Sequence, residues 1–455
     1  MSAQRPGPST PRPYAFPRAY EHRTATGLRI IALPMPGRPL AAMQLLMRGG
    51  AATESATENG TAALLARLLA EGGPRHDAIH LVEAAELLGG TIGAEAGFEG
   101  VSVGSSLPVH RIAPMLELIA EIAYEPSLPE REVDRLRALR LAQIEQAAAS
   151  PRARANEAIT AAIYDDAPYG RPIGGRRESV AAINRASLSA RHAQLATNPD
   201  PLFVLAGEFD PNEIFALIDA SALAHSVNGS GASTSTAAKL LTPDRPAAAS
   251  TGDEPRVLLI DRPGSVQSEL RIGRVGRSRL DAGFHAALVH SEIVGGLFGS
   301  RLNRMLREEK GYTYGAAASF DFRRGRGPFL ARTAVETSVT VPALVEARRQ
   351  LSSPLSDAPS DEELDGARRY LIGTFPLRFG AAPPVAAAAS GLTAIGLDLS
   401  ELDRYRDAVA DVDRAAVVRI AEELEAESER IVVVGDAATV RAPLEEAGFA
   451  VEVHA

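Results

Sequence analysis

Residues 295 to 315 hold the side chains best placed for chemistry. They read Gly295-Gly296-Leu297-Phe298-Gly299-Ser300-Arg301-Leu302-Asn303-Arg304-Met305-Leu306-Arg307-Glu308-Glu309-Lys310-Gly311-Tyr312-Thr313-Tyr314-Gly315. A helix carrying Ile293, Val294, Leu297 and Phe298 on its apolar side runs into glycines and then into a second short helix. Leu302, Met305 and Leu306 recur at helical spacing and are expected to face the core. Arg301, Arg304 and Arg307 stand three apart and are expected to share a different face. After Gly311 the pattern alternates, with Tyr312, Tyr314 and Ala316 against Thr313, Gly315 and Ala317, which predicts a strand. Arg307 then ends a helix and Tyr314 lies on the strand that follows. A guanidinium and a phenol brought together at such a junction can both donate hydrogen bonds to one carbonyl oxygen. By spacing alone, a solvated arginine and a half-buried core tyrosine are the commoner outcome.

The elements that must position this stretch occur in two copies. Strands are expected over 27–33, 41–47, 91–96, 98–105 and 202–207, with helices over 61–69, 79–88, 112–122, 129–149 and around 155–164. Val432-Val433-Val434-Gly435-Asp436 mirrors Val204-Leu205-Ala206-Gly207-Glu208. The stretch from Pro359 to Leu371 likewise mirrors Pro129 to Leu141. Several elements thus keep nearly one offset, which a duplicated α+β domain explains. The expected fold is α+β, with two homologous domains, each a mainly antiparallel sheet packed with helices, facing each other across a clam-like cleft. Clefts between domains favour ligands.

The chain has 455 residues, too many for one core and suited to two domains. Residues 1–20, rich in proline, are expected to form a flexible leader. The Ser-, Gly-, Thr-, Ala- and Pro-rich stretch 226–254 has linker composition. It separates domains expected at 21–225 and 255–455. Hydrophobic residues are 45% and charged residues 23%, a globular balance. The net charge of −9 argues against a nucleic-acid partner. Cysteine is absent, which excludes disulfides and cysteine-built zinc sites. The first 24 residues lack the apolar core of a secretory signal, and no apolar run is long enough for a membrane helix. A cytoplasmic protein is expected.

Gly-Gly-x-Phe-x-Ser-Arg-Leu at 295–302, followed by Leu-Arg-Glu-x-Lys-Gly-x-x-Tyr at 306–314, resembles the C-terminal-half signature of the pitrilysin/insulinase family of zinc metallopeptidases, the inverzincins. The likeness is nearest to the small two-chain or processing-peptidase type and runs from about residue 20 to 450. It implies two homologous α+β halves. It also implies an Arg/Tyr pair that binds the substrate backbone near the scissile bond, matched here by Arg307 and Tyr314. Tyr169-Gly170-Arg171-Pro172 resembles a further loop of the family, expected to be structural.

Catalytic members of that family carry His-x-x-Glu-His on the first helix of the N-terminal half. Residues i and i+4 share one helical face, so two imidazoles can hold one zinc ion with the Glu beside them as general base. Here Arg48-Gly49-Gly50 and Gly72-Gly73 bracket the corresponding helix. Ala63 falls at the first His, Ala66 at the Glu and Arg67 at the second His. Gln143 falls at the third ligand, with Glu145 as the neighbouring alternative. Alanine cannot bind a metal, and arginine stays protonated. No metal is therefore expected in this chain; zinc is expected in a homologous, zinc-bearing partner subunit. The resemblance implies a zinc-lacking subunit of a heterodimeric peptidase acting on peptides, inactive alone. The alternative is a structural or peptide-binding homologue, like the core proteins of the respiratory cytochrome bc complex.

Other candidates carry less. His76 and His80, with Glu83, have the spacing of a metal face, but solvation is the usual fate of paired surface histidines. His285 and His290 are five apart, poor spacing for ligands on a helix. Phe322-Arg323-Arg324-Gly325-Arg326-Gly327 is expected to be an exposed hairpin tip.

Overall fold

The computed structural model describes residues 12–198, 200–226 and 256–454. The linker expected at 226–254 lies, beyond Ser226, outside the described residues, as do the first eleven residues of the expected leader. From Tyr14 the chain is anchored: Tyr14 stacks on Phe379 and meets Phe375 edge-on, and Phe16 meets Phe379 edge-on at 5.1 Å.

The first sheet contains β1 (Tyr20–Arg23), β2 (Arg29–Pro34), β3 (Leu40–Arg48), β4 (Thr91–Ala96), β5 (Gly100–Pro108) and β6 (Leu202–Gly207). The second contains β7 (Arg256–Asp261), β8 (Gln267–Val275), β9 (Ala316–Phe320), β10 (Pro328–Glu336), β11 (Arg430–Gly435) and β12 (Ala450–His454). Their orders are β1-β2-β6-β3-β5-β4 and β12-β7-β11-β8-β10-β9. Five strands correspond one to one, and only the outer strand beside β2 or β7 differs. Only β2–β6 is parallel in the first sheet; β7 pairs parallel with both β11 and β12 in the second. Both sheets are thus mixed and mainly antiparallel. The duplication read from the sequence is therefore a duplication of the fold.

The inner strands β2, β6 and β11 are buried on both faces, and their sequences require it. In β6 every residue is buried. Successive side chains of a strand point to opposite faces. Phe203 and Leu205 join Leu65, Leu68 and Ile119, on the helices Thr61–Leu69 and Ile112–Tyr124 of the same half. Leu202, Val204 and Ala206 turn the other way and share a core with residues of the C-terminal half.

The two halves exchange helices. Helix Ala382–Ile395 lies on β3 and β6 of the first sheet, and helix Pro151–Tyr164 lies on β8 and β11 of the second. These helices occupy equivalent places, each after the long helix of its half. Gly273 on β8 permits the close approach: a Cβ there would stand 2.6 Å from Ile163 Cδ1. Ile159, Ile163, Val432 and Val434 fill the resulting core. Helix Ala382–Ile395 presents Val385, Ala386 and Ala389 to the core it shares with the first sheet. Among the described residues no single helix is long and apolar enough to cross a membrane.

The turn at 322–327 is not an exposed tip. Arg323 sits over the rings of Phe98 at 4.2 Å and Tyr169 at 4.8 Å and pairs with Asp321. Tyr169 accepts from the Gly325 amide at 3.0 Å, and Tyr164 donates to the Arg326 carbonyl at 2.8 Å. The tyrosine-bearing loop at 168–172 is thereby the seat on which the hairpin of the other half docks. The charge-rich composition of this turn hid its role, because the guanidinium is satisfied by aromatic faces.

Candidate functional site

The Arg/Tyr stretch is built on two widened helical turns. Glu292–Gly296 and Arg304–Glu309 are π-helical, and the amides of Leu297 and Lys310 reach five residues back, to the carbonyls of Glu292 and Met305. Such turns occur mostly as single insertions and often at functional sites. Gly295 lets the first segment touch β9; a Cβ there would fall 2.2 Å from the Ala318 nitrogen. Asn303 ties the parts together. Its Nδ2 donates to the Leu297 carbonyl at 3.2 Å and its Oδ1 accepts from the Ala316 amide at 2.9 Å.

This geometry corrects two expectations. Arg301, Arg304 and Arg307 do not share a face, because the helix widens into a π turn from Arg304 onward, after Arg301. Arg301 is buried and forms a forked pair with Glu363, both bonds 2.8 Å, and donates to the Asp357 carbonyl at 2.9 Å. Arg304 is exposed, and Arg307 is half-buried. Tyr314 is not on a strand either. Strand β9 begins at Ala316, and residues 311–315 form a turn in which Thr313 Oγ1 accepts from the Gly315 amide at 3.1 Å. The Tyr314 side chain is 99% exposed.

Arg307 and Tyr314 nevertheless line one groove of about 490 Å³, along with Phe298, Asn303, Arg271, Arg332 and Arg152 from the exchanged helix. The Arg307 guanidinium carbon lies 4.2 Å from the centre of the Phe298 ring. Among the described residues it has no carboxylate partner. The backbone carrying Tyr314 is pinned, with Thr333 Oγ1 donating to the Gly315 carbonyl at 3.1 Å. Arg307 on its aromatic face and Tyr314 on its pinned turn thus border the same groove.

In the N-terminal half, the helix matched to the metal-binding helix of the family is Thr61–Leu69. Its start is held by the buried Glu54 carboxylate, which accepts from the Gly60 and Ala62 amides at 2.9 and 2.5 Å. Burial raises the Glu54 pKa, opposed by those amides and by Arg191. Ala66 is buried, Ala63 and Gln143 are half-buried, and Arg67 is exposed. Arg140, whose Nε donates to the Gly174 carbonyl at 2.7 Å, lies close enough to Arg67 that the two guanidinia repel. Burial and that neighbour both lower the Arg140 pKa. The alternative ligand Glu145 is spent on an ion pair with Arg177. Two alanines, one amide and a pair of guanidinia do not fit a zinc ion: there are too few donors, and the local charge has the wrong sign.

The histidines do not replace that site. His76 Nδ1 meets Glu121 at 2.8 Å, and Glu121 also accepts from the Arg75 and His76 amides. His80 Nδ1 meets Asp77 at 2.8 Å, so the two rings serve separate carboxylates. His290 is fully buried against Phe320 and Phe329, and burial holds its pKa down to about 3. His285 packs edge-on against Tyr405, and burial lowers its pKa too. Among the described residues no cluster of three or more His, Cys, Asp or Glu is arranged to hold a metal ion.

Fold and groove together define a duplicated α+β protein of metallopeptidase architecture. The chain belongs to the insulinase family of peptidases, M16. Residues 29–177 match the family described as Insulinase (Peptidase family M16), and residues 182–371 match the Peptidase M16 inactive domain. Proteins of Mycobacterium tuberculosis and Mycobacterium bovis, each named an uncharacterized zinc protease, are 25% identical over 301 residues. That match spans 65% of this chain and 65% of theirs, just under two thirds of their length. The fold is shared with a peptidase M16 inactive domain from Pseudomonas fluorescens, at TM-score 0.81 and 23% identity over 92% of this chain and 98% of that one. A protease from Helicobacter pylori superposes at TM-score 0.83 and 17% identity, over 92% of this chain and all of that one.

Proposed function

We propose that this chain is the zinc-lacking subunit of a two-chain metallopeptidase. Arg307 and Tyr314 donate hydrogen bonds to the carbonyl oxygen of a bound peptide, holding and polarising it. The groove and the first sheet wall the chamber. A homologous subunit with an intact His-x-x-Glu-His carries the zinc and the general base, so hydrolysis takes place on the partner and this chain contributes substrate binding. The observation that supports this reading best is the asymmetry within one duplicated fold. The C-terminal half keeps a guanidinium and a phenol on one open groove, while the matched metal positions of the N-terminal half hold two alanines, an arginine and a single amide.

The test is peptide hydrolysis by the purified chain, by a homologue from the same organism with the intact motif, and by their mixture. The proposal expects activity in the mixture well above that of either chain alone. Inactivity of every mixture would favour a structural or peptide-binding homologue. Chelator-sensitive hydrolysis by this chain alone would contradict the proposal.

A further inference from the structure

The duplication supplies an internal control for the groove that holds Arg307. A second groove, of about 430 Å³, lies at the equivalent place on the first sheet, beside the exchanged helix Ala382–Ile395. The strand registers correspond: Gln44 pairs across strands with Gly104, and Arg271 pairs with Arg332 at the same position of the second sheet. The first groove is lined by small and neutral residues such as Ala42, Gln44, Gly93 and Gly104, with Glu95 its single charged group. The second is lined by Arg152, Arg271, Arg307 and Arg332, with Glu269 as its single acid.

The fold does not ask for these arginines. Like charges directly opposite on paired strands destabilise a sheet. The twin sheet meets the same packing demand with Gln44 and Gly104. Glu269 compensates only Arg271, which it meets at 2.9 Å and which is 2% exposed. Arg271 also donates to Asn156 at 2.7 Å, on the exchanged helix. Burial lowers the Arg271 pKa, and the nearby guanidinia of Arg152 and Arg332 push it the same way. Arg152, Arg307 and Arg332 have no carboxylate partner among the described residues. The chain as a whole carries −9, so four arginines against one acid in this groove run counter to the overall charge.

We infer that this groove selects acidic peptides, with Arg152 and Arg332 engaging Asp or Glu side chains on either side of the carbonyl held by Arg307 and Tyr314. The inference rests on the reading of the groove as a peptide site and adds its substrate class. Guanidinia bind carboxylates through paired hydrogen bonds. An extended peptide alternates its side chains, so acidic residues on one side of it can meet the sheet face.

The test is isothermal titration of the full chain with three extended peptides of equal length, rich in Glu, Gln or Lys, at low and high salt. The Glu peptide is expected to bind about tenfold tighter than the Gln peptide at low salt, with the preference shrinking as salt rises. Arg152→Gln and Arg332→Gln are each expected to weaken the Glu peptide about three- to fivefold and the Gln peptide by a smaller factor, so that the preference for Glu narrows. Equal affinity for Glu and Gln peptides, or unchanged affinity in both variants, would overturn the inference. So would a single-stranded oligonucleotide binding as tightly as the Glu peptide. The two proposals fail separately. Selective binding without hydrolysis in any mixture sinks the two-chain peptidase and leaves the acidic groove. Hydrolysis in the mixture with no acidic preference does the reverse.

Discussion

Arg307 rests on Phe298, its guanidinium carbon 4.2 Å from the ring centre, and the ring is itself 69% exposed. The contact keeps a cation at the wall of an open groove without neutralising it. A carboxylate in the same place would compete with any ligand for the guanidinium donors; an aromatic face leaves those donors available.

Phe298→Ala therefore affects binding more than folding. Loss of an exposed cation–π contact costs about 0.5–1 kcal/mol, so peptide affinity is expected to fall about two- to fivefold. The melting temperature should stay within the error of measurement. Calorimetric titration alongside a thermal melt checks both. Undiminished affinity would mean that the ring does not position Arg307 for the ligand.

The matched metal positions can be tested by rebuilding them. The quadruple variant Ala63→His, Ala66→Glu, Arg67→His, Gln143→Glu removes one guanidinium and supplies three ligands and a base. It is expected to bind about one zinc ion per folded chain, where the parent binds none. Metal analysis after dialysis against micromolar zinc gives the answer. A folded, zinc-free quadruple variant would show that these are not the positions of the family's metal site.

His290 predicts an acid sensitivity. Burial holds its folded pKa near 3, against about 6.5 in an unfolded chain. Between those values the unfolded chain takes up a proton that the folded one refuses. Stability is therefore complete above about pH 6.5 and falls as the pH drops toward 3. Wild type is expected to lose about 2 kcal/mol more than His290→Leu between pH 7 and pH 5. Urea unfolding at the two pH values measures this. Equal losses in the two proteins would rule out His290 as the source.

Much of this was legible in the sequence, for physical reasons that can be named. The repeat was visible because β6 and β11 are continuous apolar runs, each buried on two faces and ended by the same glycine turn. The helix Thr61–Leu69 was visible because its brackets Gly49-Gly50 and Gly72-Gly73 tolerate little change. A Cβ on Gly50 would meet the Gly97 carbonyl at 2.2 Å, and one on Gly72 the His76 carbonyl at 2.3 Å. The π turns were not visible, since apolar spacing near Leu302 and Leu306 fits an ordinary helix as well. The strand expected through Tyr314 gave way to a turn because the Asn303 side chain takes the Ala316 amide and β9 begins there. The basic groove was beyond reach. Arg152, Arg271 and Arg332 are brought together only by strand register and by the exchange of helices, and amphipathic patterning does not say which sheet a helix will cover.

If Arg307 holds a peptide carbonyl for cleavage at a partner's metal, its loss is felt in catalysis by the assembled pair. The most direct measurement is kcat/KM of the mixture of this chain with the zinc-bearing homologue, comparing wild type with Arg307→Ala at saturating, independently measured subunit association. Removing a carbonyl-directed donor from such a site costs about a hundredfold or more. A loss of that size, with association unchanged, is expected. An Arg307→Ala mixture as active as wild type would contradict this role of Arg307.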